Sequence, residues 1–463
     1  MAGASRRGLT LVAALALGGC AAGDAYTAPG FPFAPAYRGA PGGAPVLLSN
    51  DAWWQRLDDP VLDRLVGLAL RDSVSIAIAR ERVTEAQALL AAVPGALTVA
   101  PSVSAQRSDG PGQARPVTAG AARLGLTWML DPYGARRATL EAAGAQVEVA
   151  DAEADAAQLL VLLNVANAYL DLRYQQRILA LSRQEVGNGR RTLELTRTLL
   201  GASAATRLDV ARAEARVASI QSQLPVLEAR VAAQVNQLAV LAGTAPGTLP
   251  VDLATPAAQP RADLPPDMGI PADLLRNRPD IRIAERRYYA AVADLGAARA
   301  ALYPSLSLTG AITLNLLRGG RTAGEYILGP EVQFPALPTG ATRAGVQARE
   351  SRVVQAHAEW RRTVLDAIVE VENALLDYQG VTASVQSAAR AARLYREARD
   401  LRRTQFENGS ATLGDLIDAE NELSQAERAL AEANYRRSLG FVALNVRLGS
   451  GNSAAAQDGR SVN

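Results

Sequence analysis

The sequence predicts an α+β membrane protein built from two repeated halves, each supplying two membrane-crossing strands and two long helices. Three observations predict it. Matching residues recur at an offset of about 205 along nearly the whole chain. Long proline-free stretches carry heptad spacing, and four segments of roughly ten residues alternate with period two, the length a tilted strand needs to cross a bilayer.

The repeat fixes the organisation. Ile78-Ala79 matches Ile283-Ala284, Pro101-Ser102 matches Pro304-Ser305, and Gly134 matches Gly340. Ala205-Thr206, Asp209 and Ala213-Glu214 match Ala411-Thr412, Asp415 and Ala419-Glu420, and Gly243 matches Gly449. The first half is expected over 51–243, a Pro-rich linker over 244–266 and the second half over 267–449, each reading short helix, two strands, long helix, long helix.

At the amino end, Arg6 and Arg7 precede the apolar run Leu9–Leu17, which ends in Gly18-Gly19-Cys20. A run of roughly ten residues suits a signal peptide (1–19) and is too short to span. The ending LGGC resembles a bacterial lipobox, which implies lipidation of Cys20, and Ala21 after it favours the outer membrane. Residues 20–50, rich in Pro, Gly and Ala, read as an extended tether without a core of its own.

Strands are expected at about 98–109, 119–131, 303–316 and 325–337. In Leu306–Leu316, Leu and Ile alternate with Ser, Thr and Asn. Trp128, Tyr133, Tyr303, Tyr326 and Phe334 gather near strand ends. No proline interrupts the chain between Pro132 and Pro225 or after Pro338, and Leu416, Leu423 and Leu430 keep a seven-residue step. Arg137–Leu200 would run nearly 100 Å as one helix, with Gly187-Asn188-Gly189 and Gly380 as places where the helices could bend. Residues 450–463 read as a disordered tail. Four strands leave two open edges, which lipid does not tolerate, so further copies must close the sheet. Two copies fill their own interior, whereas three leave a passage.

Composition removes most chemistry. All 48 basic residues are Arg, against 46 acidic ones, for a net charge of +2. Without Lys there is no phosphate loop or Schiff base, and the near balance makes no case for nucleic acid. One His (His357) and one Cys leave no ligand set for a metal. His357 is expected beside the long-helix seam near Val353 and Trp360, and no enzyme site or cofactor is expected, apart from the lipid on Cys20. Paired-carboxylate catalysis is the only common chemistry left open.

Several strings, in order, resemble the outer membrane efflux protein family of TolC-like channels, in its NodT-like lipoprotein branch serving RND-type pumps. They are WWQRLDDPVLDRLVGLAL from Trp53, LTWMLDPYGARR from Leu126, VANAYLDLRY from Val165 and GIPADLLRNRPDIRIAE from Gly269, followed by LYPSLSLTG, Gly329-Pro330, AIVEVENAL and FENGSATLGDLIDAE. The resemblance implies a homotrimer, with a twelve-stranded outer-membrane barrel continued by a periplasmic α-barrel. It also implies a passive exit duct partnered by a periplasmic adaptor and an inner-membrane pump.

The chain departs from the family's pattern at Ser73-Val74, in its ending LGSGN, and in a first tip turn, Gly201–Asp209, expected to be two residues longer than Gly409–Asp415. The helices are expected to reverse near Gly201 and Gly409, the periplasmic tips where an adaptor would dock. Asp415 and Asp418 are the candidate lining of a constriction, locked by Arg207 or Arg212 beside Asp209; capping or solvated charges is the alternative. Two other readings remain: a lipid-anchored coiled-coil adaptor or scaffold, which leaves the strands unexplained, and a carboxylate-dependent envelope glycan hydrolase, which needs a compact cleft.

Overall fold

The computed structural model describes residues 26–38, 52–108, 117–262, 270–317, 322–335, 337 and 339–451. The signal-like segment, Cys20 and the tail from 452 lie outside the described residues. What is described forms two compact units, one drawn from residues up to 31, 81–152 and 282–363, the other from 32–80, 153–281 and 364 onward.

The first unit holds one antiparallel sheet. Its strands are β1 (Leu97–Ser108), β2 (Val117–Leu130), β3 (Ser305–Leu317) and β4 (Thr322–Gln333), ordered β1-β2-β3-β4. These lie close to the expected ranges, β4 being displaced most. Its expected end at 337 is cut back because Pro335 follows, a residue with no N–H to give the ladder. Tyr133 and Tyr303 stack at 4.6 Å where the first strand pair and the second leave for the helices. Arg286 pairs with Glu148 at 2.9 Å and Arg299 with Glu350 at 3.1 Å, tying together the helical part of this unit.

Each half opens with two helices, where one was expected. These are α1 (Pro60–Asp72) and α2 (Val74–Ala91) in the first half, and a single turn α5 (Leu274–Asn277) with α6 (Pro279–Ala300) in the second. Ser73, one of the departures noted above, sits in extended conformation between α1 and α2 and separates them. Asp59 opens α1 by accepting from the backbone N–H of Val61 at 2.9 Å and of Leu62 at 3.3 Å, with Pro60 preset for the first turn.

The long helices are α3 (Ala135–Gly201, 67 residues) and α7 (Gly340–Glu407, 68 residues), followed by α4 (Arg207–Leu241) and α8 (Leu413–Arg447), both of 35 residues. Helix α3 runs through Gly187-Asn188-Gly189 and α7 through Gly380, so neither glycine site interrupts its helix. At Gly189 the glycine serves packing: an added Cβ would sit 3.1 Å from a methyl of Val217. Pro225 does not end α4 either. It lies inside that helix at an exposed position.

In the second unit, Trp53, Leu62, Tyr169, Leu238 and Phe441 join one buried cluster. Of the linker expected over 244–266, the described residues 244–262 are built into it. Leu253 and Ala262 are buried, Gln176 donates to the Leu253 carbonyl at 2.8 Å, and Ser438 donates to the Pro260 carbonyl at 2.7 Å. The buried Arg173 guanidinium donates to the Tyr169 hydroxyl (2.9 Å), Gln176 Oε1 (2.8 Å) and the Thr255 carbonyl (3.0 Å), giving its charge three acceptors without a carboxylate.

The expected tether is extended over its described stretch, 26–38, but it is seated on helices. In the first unit the Tyr26 hydroxyl donates to Glu285 at 2.8 Å and its ring lies 4.4 Å from that of Tyr289. In the second, Tyr37 is 3% exposed and the Arg38 N–H donates to Glu372 at 2.8 Å.

The repeat has a structural signature at its ends. Gly243 and Gly449 follow α4 and α8 with φ of +74° and +80°. A Cβ on Gly243 would fall 2.1 Å from the Asp72 carbonyl oxygen, and one on Gly449 2.5 Å from that of Asn277. Each half thus closes by seating a left-handed glycine on the backbone end of its own first helix. Arg278 reinforces the second closure, donating to the Arg447 carbonyl at 3.0 Å while its other nitrogen spans Asp280 at 2.7 Å and Glu370 at 2.9 Å. This is the physical content of the string NRPDI.

Candidate functional site

Two surfaces have geometry suited to a duct, one in each unit. The first is the sheet. The pairing aligns Pro101, Leu124, Ile312 and Tyr326 across all four strands. Two residues along lies the row Val99, Leu126, Gly310 and Leu328, and beyond it Leu97, Trp128, Leu308 and Pro330. Because side chains alternate across a strand, these rows share one face and that face is apolar.

The opposite face carries the rows Ser102, Arg123, Thr313, Glu325 and Thr98, Thr127, Thr309, Gly329. Ile327 and Met129 are its main apolar members. On the apolar face Val103 is 85% exposed, Tyr326 85% and Leu328 67%. Such a surface in water would be a severe liability, and in lipid it is the expected one. The outer edges of β1 and β4 pair with no strand among the described residues.

The face assignment makes a direct prediction. Leu124→Asp places a charge on the lipid side and should abolish recovery of the protein from purified outer membranes, whereas Thr313→Asp on the polar side should leave it near wild type. Equal recovery of the two variants contradicts the assignment.

The second surface is the pair of helix reversals. Thr206 caps α4 and Thr412 caps α8 by the same box. Asp209 accepts from the Thr206 N–H (2.9 Å) and hydroxyl (2.7 Å), and Asp415 from those of Thr412 (2.9 and 2.8 Å). In return the Asp209 and Asp415 N–H groups each donate to the threonine oxygen at 3.2 Å. The turns before the caps also match. Ala204 N–H donates to the Leu199 carbonyl and Ser410 N–H to that of Gln405, both at 2.8 Å.

The expected extra length of the first turn is therefore not found. Both helix pairs are separated by Ala202–Thr206 and Asn408–Thr412, and the partner of Gly409 (φ +72°) is Ser203 (φ +62°), not Gly201, which ends α3. A non-glycine residue in the left-handed region hides the correspondence in the sequence, because that conformation ordinarily calls for glycine.

Asp209 and Asp415 thus act as capping residues here. Asp418 and Arg212 stand exposed one turn further on, at equivalent positions of α8 and α4, and Arg207 is exposed beside the first cap. Among the described residues no ion pair joins Arg207 or Arg212 to Asp415 or Asp418; Arg212 acts on Asp209, favouring its charged form. His357 lies 5.4 Å from the Tyr288 ring and 5.7 Å from the Trp360 ring, an aromatic cluster with the expected neighbour. No group of three metal-binding side chains occurs among the described residues.

Hydrogen bonds from the hydroxyl and backbone N–H of Thr206 hold Asp209 below the usual carboxylate range, and those of Thr412 do the same for Asp415. Such caps stabilise fully above the unfolded carboxylate range and are lost as pH falls through the depressed values. Amide protection at Asp415 and Leu416, whose N–H groups donate to Thr412, normalised to an unstructured peptide at each pH, should therefore persist from pH 7 to about pH 4 and fall below it. Thr412→Ala should weaken protection already at pH 7; protection unchanged in that variant would remove the capping role.

Known proteins resemble this chain over nearly its whole length. The outer membrane efflux protein family matches residues 67–244 and 270–450. Nodulation protein T of Rhizobium leguminosarum bv. trifolii is 33% identical, over 96% of this chain and 97% of its own length. The pyoverdine export outer membrane protein OpmQ of Pseudomonas aeruginosa is 29% identical over 96% of this chain and 97% of its own. The outer-membrane channel OprN has the same fold, with a TM-score of 0.85 and 30% identity, covering 93% of this chain and 99% of that one. The chain belongs to the outer membrane efflux protein family of TolC-like channels and is an outer-membrane exit duct.

Proposed function

We propose that three copies of this chain close their sheets into a twelve-stranded barrel and serve as the passive exit of a tripartite, RND-type efflux system. The observation that carries the closure is the two-faced sheet with unpaired edges at β1 and β4. Lipid contains nothing to satisfy those edges, so each must pair with the edge of another copy. Eight strands would be filled by their own side chains, and twelve leave a polar-lined passage.

The helix tips take a periplasmic adaptor that links the duct to an inner-membrane pump, and Cys20 carries the lipid that holds the chain at the outer membrane. Nothing in the site does covalent chemistry; the lumen face offers Ser, Thr, Arg123, Glu325 and Glu331 to a passing solute. The cargo class is small molecules, without restriction to one polarity, in keeping with relatives named for the export of pyoverdine, antibiotics and toluene. Asp418 is the tip carboxylate that takes no part in a cap, and it fits the constriction lining better than Asp415.

Planar bilayers test this. Purified protein should give discrete conductance steps, and Asp418→Ala should keep them while lowering the preference for cations, read from the reversal potential in a KCl gradient. Conductance without that change removes Asp418 from the pathway, and no conductance from correctly folded protein removes the duct.

A further inference from the structure

On its polar face the sheet sorts its charges by strand. Among the described residues of that face Arg123, on β2, is the cation, and Glu325 and Glu331, both on β4, are the carboxylates. Strands β1 and β3 place no charged residue there. The two hairpins come from the two repeated halves, yet the second strand of one carries positive charge and the second strand of the other negative. All three side chains are exposed. Their surroundings are short: Ala121 and Gly125 flank Arg123 along β2, Thr313 separates it from Glu325, and Ala323 and Gly329 precede the two carboxylates on that face of β4. Ionised groups over so low a lining are what an ion in the passage meets first.

The register fixes their spacing. Arg123 and Glu325 share one row with Thr313 between them, which places their strands about 10 Å apart. Glu331 is six residues nearer α7, a step of about 20 Å along the strand. In a barrel tilted by about 40° that is about 15 Å of height. When β4 pairs with β1 of another copy, the next strand is that copy's β2, again about 10 Å from β4. Sign therefore alternates at every second strand around the closed wall, and each arginine strand stands between two glutamate strands.

We infer that Arg123, Glu325 and Glu331 set the ion selectivity of the membrane-crossing part of the duct, with Arg123 offsetting the carboxylates so that anions pass. This rests on the closure by three copies proposed above. Each copy brings one cation and two carboxylates to the wall, a net negative charge that favours cations weakly. Lipid outside the wall has a low dielectric constant, which focuses the field of these charges into the water inside. At about 0.1 M salt the Debye length is about 10 Å, the distance between the stripes, so each charge is felt by a passing ion and part-cancelled by its neighbour. Removing one sign leaves the other uncompensated. The selector proposed at Asp418 is in the other unit, so the two can be altered independently.

Reversal potentials in planar bilayers, under a KCl gradient centred on about 0.1 M, test it. The cation-to-anion permeability ratio should rise on the order of twofold in Arg123→Ala and fall by a similar factor in Glu325→Ala. Arg123→Lys keeps the charge and should match wild type, as should the double variant Arg123→Glu with Glu325→Arg, which swaps the stripes. At about 1 M salt, where the Debye length is about 3 Å, the differences should vanish. Where Arg123→Ala fails to reach the outer membrane, Arg123→Gln carries the same expectation.

Ratios unmoved in Arg123→Ala and Glu325→Ala, with conductance retained, overturn the inference and leave selection to the tip. A shift of the same sign in both, or an Arg123→Lys ratio equal to that of Arg123→Ala, overturns it too, because the effect is then not one of charge. Wild-type trimer that conducts nothing overturns the duct itself, whichever charges line it.

Discussion

An unpaired backbone group in lipid is the constraint on which this molecule depends. A β-sheet satisfies its interior strands and leaves its edges bare, and the four-stranded sheet of the described residues has two such edges. The chain cannot solve this alone. Its apolar face commits the sheet to lipid, its polar face commits the other side to water, and the edges then demand copies of themselves. Function follows from that demand, because the number of copies that satisfies the edges also sets whether a passage exists.

The repeat supplies the second half of the solution. Duplicated units let one set of rules, a capping box at Thr206 or Thr412 and a left-handed glycine at 243 or 449, set two helix pairs of the same length. Equal lengths allow the helices of three chains to pack as six equivalent pairs, which a closed tube requires. Yet the halves have diverged where their contacts are formed. Glu420 is buried while its twin Glu214 is exposed, so equivalence of backbone coexists with difference in burial.

Much of this was legible in the sequence. The alternation in Leu306–Leu316 gave away β3, because period-two patterning is a local property that packing seldom overrides. The proline-free stretches marked α3 and α7 for the same reason. What local pattern could not settle was backbone geometry reached by an unusual residue. Ser203 at positive φ does the work of Gly409, so the tip turns looked unequal; Pro225 sits within a helix because its face is exposed. The linker looked loose because its anchors, Gln176 and Ser438, are far away in the chain. At the tip, the Thr-x-x-Asp spacing marks a cap only where a helix starts, so local pattern leaves Asp415 open between a cap and a constriction lining.

The central claim is closure by copies, and the mass of the protein extracted from outer membranes in mild detergent tests it most directly. Light scattering with the detergent subtracted should return three chains, each 48.6 kDa less the leader proposed over 1–19. A stable monomer, or a dimer released without detergent, would leave the β1 and β4 edges with nothing to pair with and would contradict the account.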